Sequence, residues 1–214
     1  MKYAALVAIP LLALGLAACG GGPRPGGDFG LPRMRPSDTG RPSASPPSRP
    51  HAPPVTNVAP PHGPAGPLTV ARIGSYTDAL EVELRRHVHG PGIVVARQGD
   101  AITVVVPNAL LFSGDGGVNG DDVLEPLAAV LRAYAHTTVV VGGFTDTIGA
   151  PDKNMAVSQK RARQIAGALA HEGVAGNRLS SQGYGETHLR IRTGDDKAEP
   201  RNRRIEFLIT PRPG

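Results

Sequence analysis

Hydrophobic and polar positions divide the chain into three regimes. Ala4 to Ala18 is an unbroken apolar run of 15 residues, with Lys2 the only charge before Arg24. Residues 20–67 then show no periodicity of any kind. From about residue 68 onward the apolar positions repeat with the spacings of helices and strands. Leu80, Val82, Leu84 and Val88 among charges predict an amphipathic helix over 75–88. Ile93 to Val95 and Ala101 to Val106 read as strands over 92–97 and 101–106. Gly99-Asp100 between them is a hairpin signal, and Pro107 stops the second strand. Leu124, Leu127, Ala128, Leu131 and Tyr134 follow helical spacing. Asp122 is expected to cap that helix, with Glu125 three residues on, so that Pro126 falls among amides without helical partners. Thr138 to Val141 is a continuous apolar run, as in a strand covered on both faces. A long helix follows over about 153–172, ending near Gly173. Leu179–Tyr184 and Arg203–Thr210 are two further strands, the last with Ile205, Phe207 and Ile209 on one face. The order predicts an α/β (α+β layered) fold, helices packed on a mixed sheet. No internal repeat is visible.

Composition explains the middle regime. Residues 20–67 hold 14 of the 22 prolines and nine of the 28 glycines, with Phe29 their only aromatic. Such a segment buries too little apolar surface to offset chain entropy and is expected to be a disordered tether. Pro46-Pro47, Pro53-Pro54 and Pro60-Pro61 bias it toward polyproline II. Its 48 residues would span roughly 150 Å fully extended, or about 35–42 Å as a coil. Residues 68–214 remain as one domain with its own core. The formal charge of +5 sits mostly outside that domain, which has 17 Lys+Arg against 16 Asp+Glu. That balance gives no support for a nucleic-acid face. A single Cys excludes an internal disulfide and a Cys-based zinc site.

The apolar run is too short for a bilayer core of ~30 Å, which needs about 20 helical residues. It fits a secretory signal peptide at residues 1–18. Its end, Leu16-Ala17-Ala18-Cys19, resembles the bacterial lipobox, where cleavage precedes an acylated Cys. An ordinary signal peptide with a chance Cys and an uncleaved short anchor are the other readings. The only thiol standing where the small residues end favours the lipobox. Resemblance to bacterial lipoproteins implies several acyl chains on Cys19, which make anchoring effectively permanent. Gly20 in place of Asp implies, by the sorting rule of that class, the outer membrane.

Two patterns in the domain carry chemistry. One is Gly142-Gly143-Phe144-Thr145-Asp146 directly after the central apolar strand. The other is Asn154 to Ala162 on the long helix. Asn154 and Arg161 fall roughly 20° apart around the axis, with Ile165 near the same meridian. Arg161 therefore lies at the edge of the apolar stripe, where a guanidinium needs a carboxylate partner. Asp146 is the natural candidate.

These residues resemble the OmpA-like peptidoglycan-binding domain. Its helix motif appears as Asn154, Val157, Ser158 and Arg161-Ala162, with Val for the usual Leu. Its Gly-x-Thr-Asp appears as Gly143-Phe144-Thr145-Asp146, its Gly-x-Gly-Glu turn as Gly183-Tyr184-Gly185-Glu186, and its late Asn-Arg-Arg as Asn202-Arg203-Arg204. The resemblance covers about residues 100–210, with 68–99 as an added helix and strand. It implies a two-layer sandwich and recognition of the diaminopimelate of peptidoglycan stem peptides. In that reading Asp146 accepts from the ammonium of that side chain and Arg161 forks onto its carboxylate. Asn154 and helix-start amides complete the carboxylate's partners, and Arg203 is a further contact. Many relatives carry an Asp after the Phe of the first core strand. Here that position is Ser113 in Phe112-Ser113-Gly114-Asp115, which leaves the affinity open.

Other readings carry less. Without the motifs, an Asp146–Arg161 salt bridge that only orients the loop is an equal reading. Asp115 to Asp122 has Gly117 where a calcium loop needs a ligand. Gly114-x-Gly116 lacks a third dinucleotide-spaced Gly. His87 and His89 lie about 200° apart on a helix and cannot easily share a metal. No nucleophile stands beside a base, so catalysis by a wall amidase is the weaker rival, and no cofactor is called for. The expected function is non-covalent linkage of the outer membrane to the wall. A lipoprotein adaptor for an envelope assembly or secretion machine is the alternative.

Overall fold

The computed structural model describes residues 63, 64 and 66–213. The expected signal peptide, Cys19 and nearly all of the tether lie outside these residues. The ordered elements are α1 (Ile73–His87), β1 (Val94–Gln98), β2 (Ala101–Pro107), α2 (Asp121–Ala133), β3 (Thr137–Phe144), α3 (Pro151–His171), β4 (Leu179–Gly185) and β5 (Arg204–Pro211). The five strands form one sheet in the order β1-β2-β5-β3-β4. β3 and β4 run parallel, joined through α3, and the other pairs are antiparallel. The mixed sheet with packed helices is the predicted architecture.

The core lies on one face of the sheet. Ile102, Val104, Val106, Val139, Val141, Ile205, Phe207 and Ile209 alternate onto it and are closed to solvent. Leu80, Leu84, Leu127, Leu131, Ile165 and Leu169 cover them from the helices. In α1 the buried stripe is Tyr76, Leu80 and Leu84, continued by the C-cap residue Val88, at four-residue spacing. Val82, counted with that face in the sequence, is 63% exposed because two residues turn a helix by about 200°. β3 is covered on both sides only in its second half, where Gly142 and Phe144 are buried. Thr138 and Val140, on the outer side, are half-buried.

The expected side-chain cap of α2 is not formed. Gly120 is the N-cap, without a side-chain cap bond, and Asp121 and Asp122 occupy the first turn. Their charges still oppose the positive end of the helix dipole. Pro126 consequently sits in the second turn, where it withholds a donor from the Asp122 carbonyl. Asp122 is exposed, so water can serve that oxygen. α3 ends as predicted. Gly173 has φ of 86°, and the Val174 amide donates to the Leu169 carbonyl at 3.0 Å, a Schellman-type stop.

A buried arginine and a buried tyrosine tie the far end of the sheet to the helices. Arg178 donates to the carbonyls of Thr137, Leu131 and Tyr134 at 2.8, 2.9 and 2.9 Å, and to Thr137 Oγ1 at 2.6 Å. Tyr76 packs edge-on against Tyr134, and its hydroxyl accepts from the His136 amide at 3.1 Å. Burial pushes the Tyr76 phenol up to about 12. Below pH 10 the phenol is neutral in both folded and unfolded chains, and its contribution is whole. Between pH 10 and 12 only the unfolded chain ionises, so stability falls by about 2–3 kcal/mol. Urea midpoints across this range are expected to drop in the wild type and to flatten in Tyr76→Phe. An unchanged slope in the variant would contradict the assignment.

Candidate functional site

The strand-to-helix connection after β3 is built on close backbone approach. An ideal Cβ on Gly143 would stand 2.3 Å from the Ser158 carbonyl oxygen, and one on Gly183 2.5 Å from the Gln159 amide nitrogen. Glycine at both positions lets α3 lie against β3 and β4. The Ser158 hydroxyl, closed to solvent, accepts from the Gly185 amide at 2.9 Å. Ser158 and Ala162 of the helix motif are therefore packing residues. They fix where Asn154 stands, about one turn before Ser158, and where Arg161 stands, next to Ala162.

Asp146 is 5% exposed near the start of that connection. Its partner is not Arg161. Arg203, just before β5, donates to Asp146 Oδ2 at 2.8 Å, and the Glu199 amide donates to the same oxygen at 3.2 Å. No described residue donates to Oδ1. The expected Asp146–Arg161 pairing is thus replaced by Asp146–Arg203, because the 186–203 loop folds back over the strand ends. Asn202 holds that loop closed, exchanging two hydrogen bonds with the Ile191 backbone at 2.9 and 2.8 Å.

Arg161 is half-buried and makes no hydrogen bond or ion pair among the described residues. Its guanidinium carbon lies 5.7 Å from the Phe112 ring centroid. Burial lowers its pKa from the usual arginine range, the Arg203 charge lowers it further, and the Asp146 charge opposes both. A cation held half out of water, with a second cation near it, favours any carboxylate that can reach it.

Asn154 is committed differently from the expectation. Its amide nitrogen donates to the Asp146 carbonyl at 3.3 Å and to Glu186 Oε2 at 2.6 Å. Both donors are used to hold the loop, so it has none left for a bound carboxylate. Glu186 is the member that the sequence reading did not count as a site residue. Its place in the Gly-Tyr-Gly-Glu turn was the available signal. It lines a cleft of about 410 Å³ with Thr147, Gly149, Ala150, Pro151, Asp195 and Asp196. The cleft carries three carboxylates and suits a cationic group.

Ser113 does not open the pocket rim to Asp115. The Asp115 carboxylate bonds to the Ser113 hydroxyl and, at 3.0 Å, to the Gly117 amide. Its pKa is lowered by those two bonds, the hydroxyl first. Asp115 thus closes its own turn. Among the described residues no group of three or more His, Cys, Asp or Glu could hold a metal ion. No described helix is long and apolar enough to cross a membrane.

The site therefore joins an acidic cleft, a carboxylate with one oxygen uncommitted and a half-buried guanidinium. Comparison with known proteins concerns the domain that carries these residues. Residues 119–203 match the OmpA family. The chain is 35% identical over 142 residues to the probable lipoprotein YiaD of Escherichia coli, covering 65% of each. It is 38% identical over 82 residues to the peptidoglycan-associated lipoprotein of Haemophilus influenzae, covering 38% of this chain and 54% of that one. The chain thus spans less than two thirds of the length of either relative. The solved cell wall anchor of the type VI secretion system (T6SS) from Pseudomonas aeruginosa is 26% identical. It superposes with a TM-score of 0.52, covering 62% of this chain and 96% of its own. The two-layer fold, the ordered motifs and these relatives agree, and residues 119–203 of this chain are an OmpA family domain.

Proposed function

We propose that the domain binds peptidoglycan by recognising the diaminopimelate side chain of its stem peptides. The single observation behind this reading is Arg161, a half-buried guanidinium with no anionic partner, beside an Asp146 that keeps one oxygen free. The end of a diaminopimelate side chain carries an ammonium and a carboxylate. Asp146 Oδ1 accepts from the first, and Arg161 donates two parallel hydrogen bonds to the second. Arg203 holds Asp146 in place and adds positive charge toward the same carboxylate. Asn154 and Glu186 fix the loop that carries Asp146. The work is binding without turnover.

Two charge-assisted contacts of ~1.5–3 kcal/mol each give roughly 3–6 kcal/mol, so one stem peptide binds weakly, near the millimolar range. In this reading Cys19 is acylated and holds the chain to the outer membrane from the periplasmic side. The 20–67 tether then keeps the domain at high effective concentration near many identical wall sites. The protein would link membrane to wall non-covalently.

Titration of the full chain with a stem tripeptide containing diaminopimelate, beside one containing Lys at that position, tests the chemistry. Lys keeps the ammonium and lacks the carboxylate. The diaminopimelate peptide is expected to bind at least tenfold more tightly. Equal affinity, or no binding of either, removes the proposal.

The similarity to a T6SS cell wall anchor favours one second reading. There the same wall contact serves an adaptor that fastens an envelope machine. Loss of one apparatus in a deletion strain, without general envelope leakage, would select it.

A further inference from the structure

Asn108 follows β2 directly and is 8% exposed, yet neither atom of its carboxamide has a hydrogen-bond partner among the described residues. Most buried polar groups in folded proteins are paired, and a buried amide without partners is costly. Its position at the end of β2 shows which segments it adjoins. Val106, Ile205 and Gly143 form a row across β2, β5 and β3, with the Val106 and Ile205 side chains in the core. Pro107, Arg204 and Phe144 form the next row, on the opposite face. Asn108 then opens a 3-10 turn over Asn108–Leu110, just past the last paired residues of β2 and β5. The Asn108 amide nitrogen donates to the Arg203 carbonyl at 3.0 Å. Its own carbonyl accepts from Phe112, the residue beneath Arg161, also at 3.0 Å. The backbone of Asn108 thus braces both segments that present the site's cations. The Thr145 hydroxyl, just past the end of β3, is a second buried oxygen without a partner among the described residues.

We propose that Asn108 is a further ligand-contacting residue of this site, its carboxamide meeting the zwitterionic end of the bound side chain. The proposal rests on the reading that the site takes a diaminopimelate stem peptide. A neutral amide suits that end of the ligand chemically. Its oxygen accepts from an ammonium and its nitrogen donates to a carboxylate. An acid at the same place would pair with Arg161 or Arg203 and compete with the ligand's carboxylate. A base would add a third cation. Asn108 therefore adds selectivity for a zwitterion without changing the charge of the site.

The test uses the full chain in detergent and a diaminopimelate stem tripeptide, read by calorimetry, with wild type, Asn108→Leu and Arg161→Ala side by side. Leu nearly matches Asn in shape and removes both polar atoms. Asn108→Leu is expected to bind roughly ten- to hundredfold more weakly, with a melting temperature equal to or above wild type, because no internal hydrogen bond is lost. Wild-type affinity in Asn108→Leu, with Arg161→Ala defective, overturns this inference alone. Absence of binding by wild type overturns it together with the reading beneath it. If Asn108→Leu fails to fold, the side-chain NH2 signals of Asn108 in ¹⁵N-labelled wild type decide. A shift on adding the tripeptide supports contact, and unmoved signals overturn it.

Discussion

Arg161→Ala is expected to abolish capture of the full chain by purified sacculi at physiological salt, with its melting temperature within a few degrees of wild type. The two halves of this expectation have one cause. Arg161 is half-buried without an ion pair or hydrogen bond among the described residues, and its pKa is lowered by burial and by Arg203. The folded protein loses little when that charge is removed, apart from contact with the Phe112 ring. A cation–π contact of this kind is worth ~0.5–1 kcal/mol. In the proposed complex the same guanidinium carries the carboxylate contact. Its loss removes about 2–3 kcal/mol from a single-site affinity that is already weak, enough to end retention. Asp146→Asn is expected to differ. It weakens the ion pair between buried Asp146 and half-exposed Arg203, so it lowers the melting temperature as well as binding. Sedimentation with sacculi beside thermal melts of the same samples separates the two. Retention of Arg161→Ala on sacculi would remove Arg161 from the site.

Arg178→Ala is expected to cost about 3–5 kcal/mol, the largest stability loss among single substitutions considered for this fold. Arg178 is 8% exposed and serves three carbonyls and one hydroxyl from a single guanidinium. Two of those carbonyls, Leu131 and Tyr134, belong to the last turn of α2 and its C-cap, where helical partners run out. Truncation would take this donor from all of them, leaving the Tyr134 carbonyl with the Thr137 hydroxyl at 3.0 Å. At ~2–4 °C per kcal/mol the melting temperature falls by roughly 6–20 °C. Arg178→Lys is expected to recover only part of this, since one ammonium cannot reproduce the planar fork. A fall of less than about 2 °C for Arg178→Ala would refute the capping role.

Periodicity made most of the fold legible. The spacing of Leu124, Leu127, Ala128, Leu131 and Tyr134 and the alternation of Ile205, Phe207 and Ile209 each depend on one buried face, and all eight are at most 2% exposed. The features that periodicity missed depend on single side chains. Val82 was counted with the inner stripe because it is apolar, although its angle puts it outside. The α2 cap was assigned to Asp122 from its residue type, while the chain turned two residues earlier at Gly120. The candidate site was legible as a set of residues and not as a set of contacts. Asp146, Asn154, Arg161 and Arg203 stand around one connection. Helix geometry could compare Asn154 with Arg161, yet it held no information on Arg203, which is 57 residues from its partner Asp146.

The sequence by itself determined the order of elements, the inner face of each one and the motifs that identify the family, because all three are local patterns of residue type along the chain. Tertiary structure alone decided which cation meets Asp146, which one is left unpaired, and that Asn108 is buried with its amide unmatched. Those outcomes depend on where a loop closed by Asn202 crosses the ends of three strands. The end of the sheet brings the Asn108 amide to the Arg203 carbonyl from a distant part of the chain, and no local pattern records that distance.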